Sequence, residues 1–225
     1  DSNPSLLKKA EEILEENSTT SQADQVTLKA VVKNLPKRYE GYGFTGMIEN
    51  DYNRGFIQTA KEYLRGEVKK KSLTMCGRVG TGKTRLAVSI LRNLKPIMKD
   101  MAISKTTNEI KTIPMLMPAN SIYVSATEFF QRCNESAAVG GKMDYINNLL
   151  LFDVVLLDEL RTENFTPAKQ ENLALFVNQA YIGERTIFIT TNFMMEELEK
   201  IDPPTTDRLN EMSLIMKFEG ESFRG

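Results

Sequence analysis

Residues Gly77–Thr84 read GRVGTGKT, directly after the apolar run Leu73–Cys76 and directly before a helix-period pattern. A glycine-rich loop between a strand and a helix, closing on Lys-Thr, is a phosphate-binding loop, and it constrains this chain more than any other feature. Phosphate oxygens need converging backbone N–H groups, so Gly77, Gly80 and Gly82 let the chain turn tightly with no Cβ in the way. The helix beginning near Lys83 adds the positive end of its dipole. Lys83 is expected to reach the β and γ phosphates and the Thr84 hydroxyl to complete the shell of a Mg²⁺ ion. The nucleotide contacts are thus expected from Gly77, Arg78, Val79, Gly80, Thr81, Gly82, Lys83, Thr84 and Arg85, with ATP and Mg²⁺ as ligands. Cys76, next to the loop, reads as a small buried strand-end residue rather than a redox site.

The rest of the chain alternates short apolar runs with helical patterns. Strands are expected at about 72–76, 121–125, 154–157, 186–190 and 213–218, and helices at about 83–94, 126–136, 143–150, 167–182 and 195–201. Strands separated by helices imply parallel pairing with right-handed crossovers, hence an α/β fold. Ahead of this lie two amphipathic segments and a linker over 1–35. The first carries Leu6, Leu7, Ala10, Ile13 and Leu14, and the second spans 23–34 with Leu28, Val31, Val32 and Leu35 on one face, stopped by Pro36. Each either packs on the main domain or docks a partner. A further helix is expected from an Asn50-Asp51 cap to about Gly66. Residues 96–120 lack a clean period and are too long for an ordinary connection, so they form a hairpin or a surface loop inserted into the main domain, 36–225.

Some 75 residues beyond the loop, LLLFDVVLLDEL ends a buried strand in Asp158 and Glu159, where open α/β sheets place ligand chemistry. Asp158 is suited to the Mg²⁺ shell and Glu159 to activating a water for in-line attack on the γ-phosphate. The next strand ends in Thr190-Thr191-Asn192, whose amide could hydrogen-bond that water or the γ-phosphate. Acid pair and terminal Asn together favour an ATP-hydrolysing switch or motor over a small-molecule kinase. Composition agrees. The 225 residues include no His and two Cys, which excludes imidazole-based nucleophilic systems and His-ligated or structural zinc sites. Phosphoryl transfer by positioning needs neither. Two Cys in so long a chain suggest a reducing, cytoplasmic setting, and no apolar run approaches the roughly 18 residues of a membrane span.

With these motifs the sequence resembles the AAA+ ATPases, and within them the bacterial helicase loaders of the DnaC/DnaI type and the related IstB transposition helpers. The resemblance spans about 35–224. It rests on LPKRY at 35–39, GRVGTGKTRLA at 77–87, FDVVLLDEL at 152–160, QAY at 179–181, TIFITTNF at 186–193, TDRL at 206–209 and FEGESFR at 218–224. It implies a P-loop three-layer sandwich whose five-stranded parallel sheet has the order 5-1-4-3-2; as a departure from the AAA+ pattern, only a few residues follow the last strand, so the C-terminal helical lid is expected to be missing. It also implies self-assembly with ATP between subunits, the replicative DNA helicase as partner, and single-stranded DNA bound by the assembly. Arg208 then becomes the arginine that reaches a neighbour's γ-phosphate, although spacing alone favours an ion pair with Asp207 or Glu211. Arg224 becomes a second nucleotide-sensing arginine.

The formal charge of −1 requires any DNA binding to come from a local basic surface. Lys142 and Arg132 are candidates, with Phe129 and Phe130 nearby to stack bases or, at least one of them, to fill the core. Lys69, Lys70 and Lys71 read as a solvated lead-in to the first strand. The functional expectation is an ATP-dependent helicase loader. Its alternatives are a transposition helper acting on duplex DNA, and a nucleotide-dependent adaptor that binds protein alone.

Overall fold

The computed structural model describes residues 28–47, 49–104, 110–161 and 165–219; of residues 101–104 and 110–113 it describes the backbone only. At its centre is a six-stranded sheet in which every pairing is parallel. Its strands are β1 (Val31–Lys33), β2 (Ser72–Gly77), β5 (Asn120–Ser125), β6 (Val154–Leu160), β7 (Thr186–Thr191) and β8 (Ser213–Phe218). The order is β1-β5-β6-β7-β2-β8. Leaving out β1, this is the expected 5-1-4-3-2 sheet, and β1 adds a sixth strand beside β5.

That strand corrects one expectation. The apolar spacing of Leu28, Val31, Val32 and Leu35 suits a helix, yet Val31–Lys33 pairs with Asn120–Ile122 as a short edge strand. The open edge of β5 offers backbone partners that a three-residue segment could not supply for itself, so tertiary pairing overrides the local pattern. Val31 N–H donates to the Ala119 carbonyl at 2.8 Å. The first amphipathic segment lies outside the described residues.

Period-two alternation divides the strand side chains between two cores. Ile122, Val124, Val155, Leu157, Ile187 and Ile189 face one side. There they meet α3 (Ala126–Ala137), α4 (Lys142–Leu149), α5 (Pro167–Ile182), α6 (Met195–Ile201) and α7 (Pro203–Met212). Leu73, Met75, Tyr123, Val154, Leu156 and Phe188 face α1 (Arg54–Arg65) and α2 (Lys83–Arg92) on the other side. The molecule is thus a three-layer α/β sandwich.

The helix ends follow capping chemistry. Ser125 Oγ accepts from Glu128 N–H at 3.2 Å to start α3, and α1 ends at Gly66 with φ +83°. The sequence reading missed α7, which opens on Pro203-Pro204; the dipeptide looks like a breaker but occupies the first turn, where N–H groups have no helical partner anyway. Asp202 caps it, accepting from Thr205 N–H at 3.2 Å and from the Thr205 hydroxyl at 2.7 Å.

Residues 96–120 resolve into the hairpin of the two alternatives. The strands β3 (Ile97–Ser104) and β4 (Ile110–Met117) pair antiparallel and apart from the main sheet. One ion pair ties the hairpin base to the sheet: Lys99 Nζ lies 2.7 Å from Asp153 Oδ2, which also accepts from Asn120 N–H at 2.7 Å. Among the described residues no helix is long and apolar enough to cross a membrane. Both cysteines are buried free thiols, and burial pushes Cys133 up to about 11.

Candidate nucleotide-binding site

The loop between β2 and α2 has the backbone its glycines allow. Gly77, Gly80 and Gly82 have φ of +130°, +84° and +90°, a region that side-chain-bearing residues rarely enter. At Gly77 packing adds a second constraint, because a Cβ there would stand 2.0 Å from the Phe218 carbonyl oxygen on β8. Lys83 folds back over the loop, its buried ammonium donating to the carbonyls of Gly77 at 2.7 Å and Arg78 at 2.6 Å. The Thr81 hydroxyl also donates to the Arg78 carbonyl, at 2.8 Å.

The structure brings Thr84 and Asp158, 74 residues apart, into direct contact, with the hydroxyl donating to Oδ1 at 2.8 Å. Thr190 on β7 donates to the same oxygen at 2.6 Å, and Tyr123 on β5 donates to Oδ2 at 2.8 Å. Asp158 has no solvent exposure. Burial pushes its carboxyl above the usual carboxylate range, and the hydrogen bonds from Thr190, Thr84 and Tyr123 pull it part of the way back. A buried carboxylate facing only hydroxyls is a hard-oxygen donor set, which fits Mg²⁺. The described residues contain no cluster of three His, Cys, Asp or Glu. Mg²⁺ does not require one, since it is held by one or two carboxylates together with substrate phosphates and water.

Glu159 follows in a strained conformation. The register between β6 and β7 shifts between Leu157 and Leu160, and Glu159 takes φ +62°. Its N–H donates to Thr190 Oγ1 at 2.9 Å, so one threonine holds both acids of the pair. The bulge turns the Glu159 side chain into the cleft beside Lys83, Thr84, Thr190 and Asn192. Arg161 reaches back to its carboxylate at 3.3 Å. Asn192 is held at the strand tip by its own N–H, which donates to the Leu160 carbonyl at 2.9 Å.

Two features lie beyond the site residues expected from the sequence. Tyr39 and Tyr42, from the segment after β1, line its wall, and the Arg85 guanidinium sits 5.2 Å from the Tyr42 ring centroid. Beside the loop a second, more apolar pocket is lined by Met47, Phe56, Ile57, Thr81, Leu86 and Phe218, with Asn50 and Asn53 as polar groups. Phe56 stacks on Phe218 at 4.0 Å between centroids. The only sequence trace of this pocket is the apolar face of α1.

The remaining candidates sit elsewhere. Arg208 lies on α7, outside the cleft of its own chain, and donates to the Pro204 carbonyl at 3.2 Å. Glu211, its spacing-based partner, accepts instead from the Tyr181 hydroxyl at 2.8 Å. Arg224 lies outside the described residues. Lys142 pairs with Glu171 at 3.2 Å and Arg132 with Glu135 at 3.9 Å. The base-stacking role for Phe129 and Phe130 does not hold. Both are buried: Phe129 packs on Phe176 and Phe130 on Phe165, because the short α3 turns both rings into the layer beneath α5. Lys69, Lys70 and Lys71 are exposed, as expected.

No family model matches the sequence, and no curated protein matches it. Solved structures do. A DnaC helicase loader superposes with a TM-score of 0.59 at 18% identity, over 81% of this chain and 99% of that one. DnaI gives 0.58 at 18%, over 83% and 95%. AMPPCP-bound DnaA from Aquifex aeolicus gives 0.58 at 20%, over 78% of this chain and 49% of that one, so the chain spans about half the length of that protein. The chain has the P-loop, AAA+-type fold that these replication proteins share.

Proposed function

We propose that this protein is an ATPase that loads the replicative DNA helicase onto single-stranded DNA. The observation that carries the ATPase reading is the joining of the loop to the acid strand through Thr84 and Asp158, with Glu159 and Asn192 in the same cleft. Coverage of 99% of a DnaC helicase loader, and of 52% of a replication initiator DnaA bound to AMPPCP and single-stranded DNA, supports the replication setting.

The chemistry follows from the residues. Lys83 exchanges the carbonyls of Gly77 and Arg78 for the β and γ phosphates, keeping its charge satisfied throughout. The apolar pocket of Met47, Phe56, Ile57 and Phe218 receives the base, and the backbone N–H groups of 78–84 receive the phosphates. Thr84 and Asp158 would hold Mg²⁺, which when bound would supply positive charge against the phosphates. Glu159 accepts a proton from the attacking water, and Asn192 orients that water against the γ-phosphate. Arg208, which does not line its own cleft, serves that of an adjacent subunit, where an arginine supplied in trans is typically worth about 10³–10⁵ in rate. The helicase is engaged by residues 1–35, and DNA by Lys142 and Arg132, whose exposed ion pairs are weak enough to yield to phosphate.

The test is binding of the ATP-loaded protein to single-stranded DNA against salt, with helicase loading scored on the same strand. Affinity that falls steeply with salt, together with ATP-dependent loading, is expected. A flat salt response removes DNA from the reading, and failure to retain any helicase removes the loader.

A further inference from the structure

Tyr123 lies within β5, on no loop and in no phosphate-binding motif, yet its hydroxyl donates to Asp158 Oδ2 at 2.8 Å. The residue is 5% exposed, and its ring packs against Tyr39 at 5.8 Å between centroids. The two carboxylate oxygens of Asp158 therefore have different surroundings. Oδ1 faces the hydroxyls of Thr84 and Thr190, on the phosphate side of the site. Oδ2 is turned inward to Tyr123, which comes from a different strand and is braced by the segment that follows β1.

A carboxylate on a single Cα–Cβ stem can rotate, and presenting one chosen oxygen to a cation requires something to hold the other. Threonine hydroxyls can turn to suit their partners; the Tyr123 hydroxyl lies on a rigid ring fixed in the core. We propose that Tyr123 is a positioning residue: it locks Oδ2 of Asp158 so that Oδ1 and the Thr84 hydroxyl stand ready for the divalent cation that accompanies nucleotide. Groups that orient a ligating carboxylate in this way typically set metal affinity by about 10-fold to 100-fold. This inference rests on the nucleotide-site reading above and deepens it.

The experiment titrates Mg²⁺ into the full chain holding a fluorescent ADP analogue, with nucleotide affinity also measured in EDTA. Tyr123→Phe keeps the ring and its packing and removes one oxygen. Its affinity in EDTA is expected to equal that of the unmodified protein, while the Mg²⁺ midpoint rises about tenfold. A variant whose Mg²⁺ midpoint equals that of the unmodified protein overturns the proposal. If the unmodified protein binds no nucleotide with or without Mg²⁺, the nucleotide site itself is wrong and the proposal falls with it. A second readout needs no substitution. With tyrosine labelled at Cζ, the Tyr123 carbon resonance is expected to shift when Mg²⁺ joins bound ADP and to stay in place with ADP in EDTA; an unmoved resonance contradicts the role.

Discussion

Glu159 carries a backbone strain whose release can be measured. At φ +62° it sits in the left-handed region, which costs a residue with a Cβ roughly 1–2 kcal/mol. Glycine adopts the same backbone freely, although its greater freedom in the unfolded chain takes back roughly 0.5–1 kcal/mol. The hydrogen bond that holds this position, from the Glu159 N–H to Thr190 Oγ1 at 2.9 Å, belongs to the backbone and survives substitution. The side chain's ion pair with Arg161, between groups 36% and 59% exposed, contributes little. Glu159→Gly is therefore expected to stabilise the fold by about 0.5–1 kcal/mol, where glycine in an ordinary strand position destabilises. For a chain of this size that is a rise in Tm of roughly 1–4 °C. Glu159→Gln keeps the strain and is expected to unfold with the unmodified protein. Urea unfolding of the three proteins, with calorimetry, makes the comparison, and both variants should lose hydrolysis. A glycine variant less stable by about 1 kcal/mol or more refutes the strain argument.

Other outcomes follow from single sites. Phe129→Ala removes a side chain with no exposure and is expected to destabilise by about 3–5 kcal/mol in urea melts, which a DNA-stacking residue would not do. Gly77→Ala meets both a φ of +130° and the Phe218 carbonyl at 2.0 Å, so nucleotide binding measured by calorimetry should be lost. Arg208→Ala should leave ADP affinity intact while hydrolysis falls at least 10³-fold, and mixing it with Lys83→Ala subunits should restore part of the rate. Asp158, its pKa raised by burial, contributes stability that is present at low pH and lost as pH rises through its folded value. Asp158→Asn should thus gain stability over the unmodified protein as pH rises from about 4 towards neutrality, read by urea midpoints across that range.

What the sequence made legible was local. The loop of 77–84, the acid pair and Asn192 each declare themselves within a few residues of chain, and their strands bring them together as the spacing implies. What was hidden depends on partners distant in sequence. Val31–Lys33 keeps helical spacing and is a strand because β5 has an open edge. The Tyr123 contact to Asp158 spans 35 residues, and the apolar pocket joins Met47 and Phe56 to Phe218 across most of the chain. The bulge that strains Glu159 leaves no composition signal at all. It arises from the mismatch of β6 and β7, where Leu160 rather than Glu159 resumes the pairing with Thr191.

The central claim is that Lys83, Thr84, Asp158 and Glu159 form one hydrolytic site, and phosphate release from ATP tests it most directly. Measured alongside ATP affinity, the unmodified protein should turn over, Lys83→Ala should neither bind nor hydrolyse, and Glu159→Gln should bind ATP as tightly as the unmodified protein and release no phosphate. A Glu159→Gln variant that hydrolyses at the unmodified rate, or an assembled unmodified protein that binds no ATP, would contradict the account.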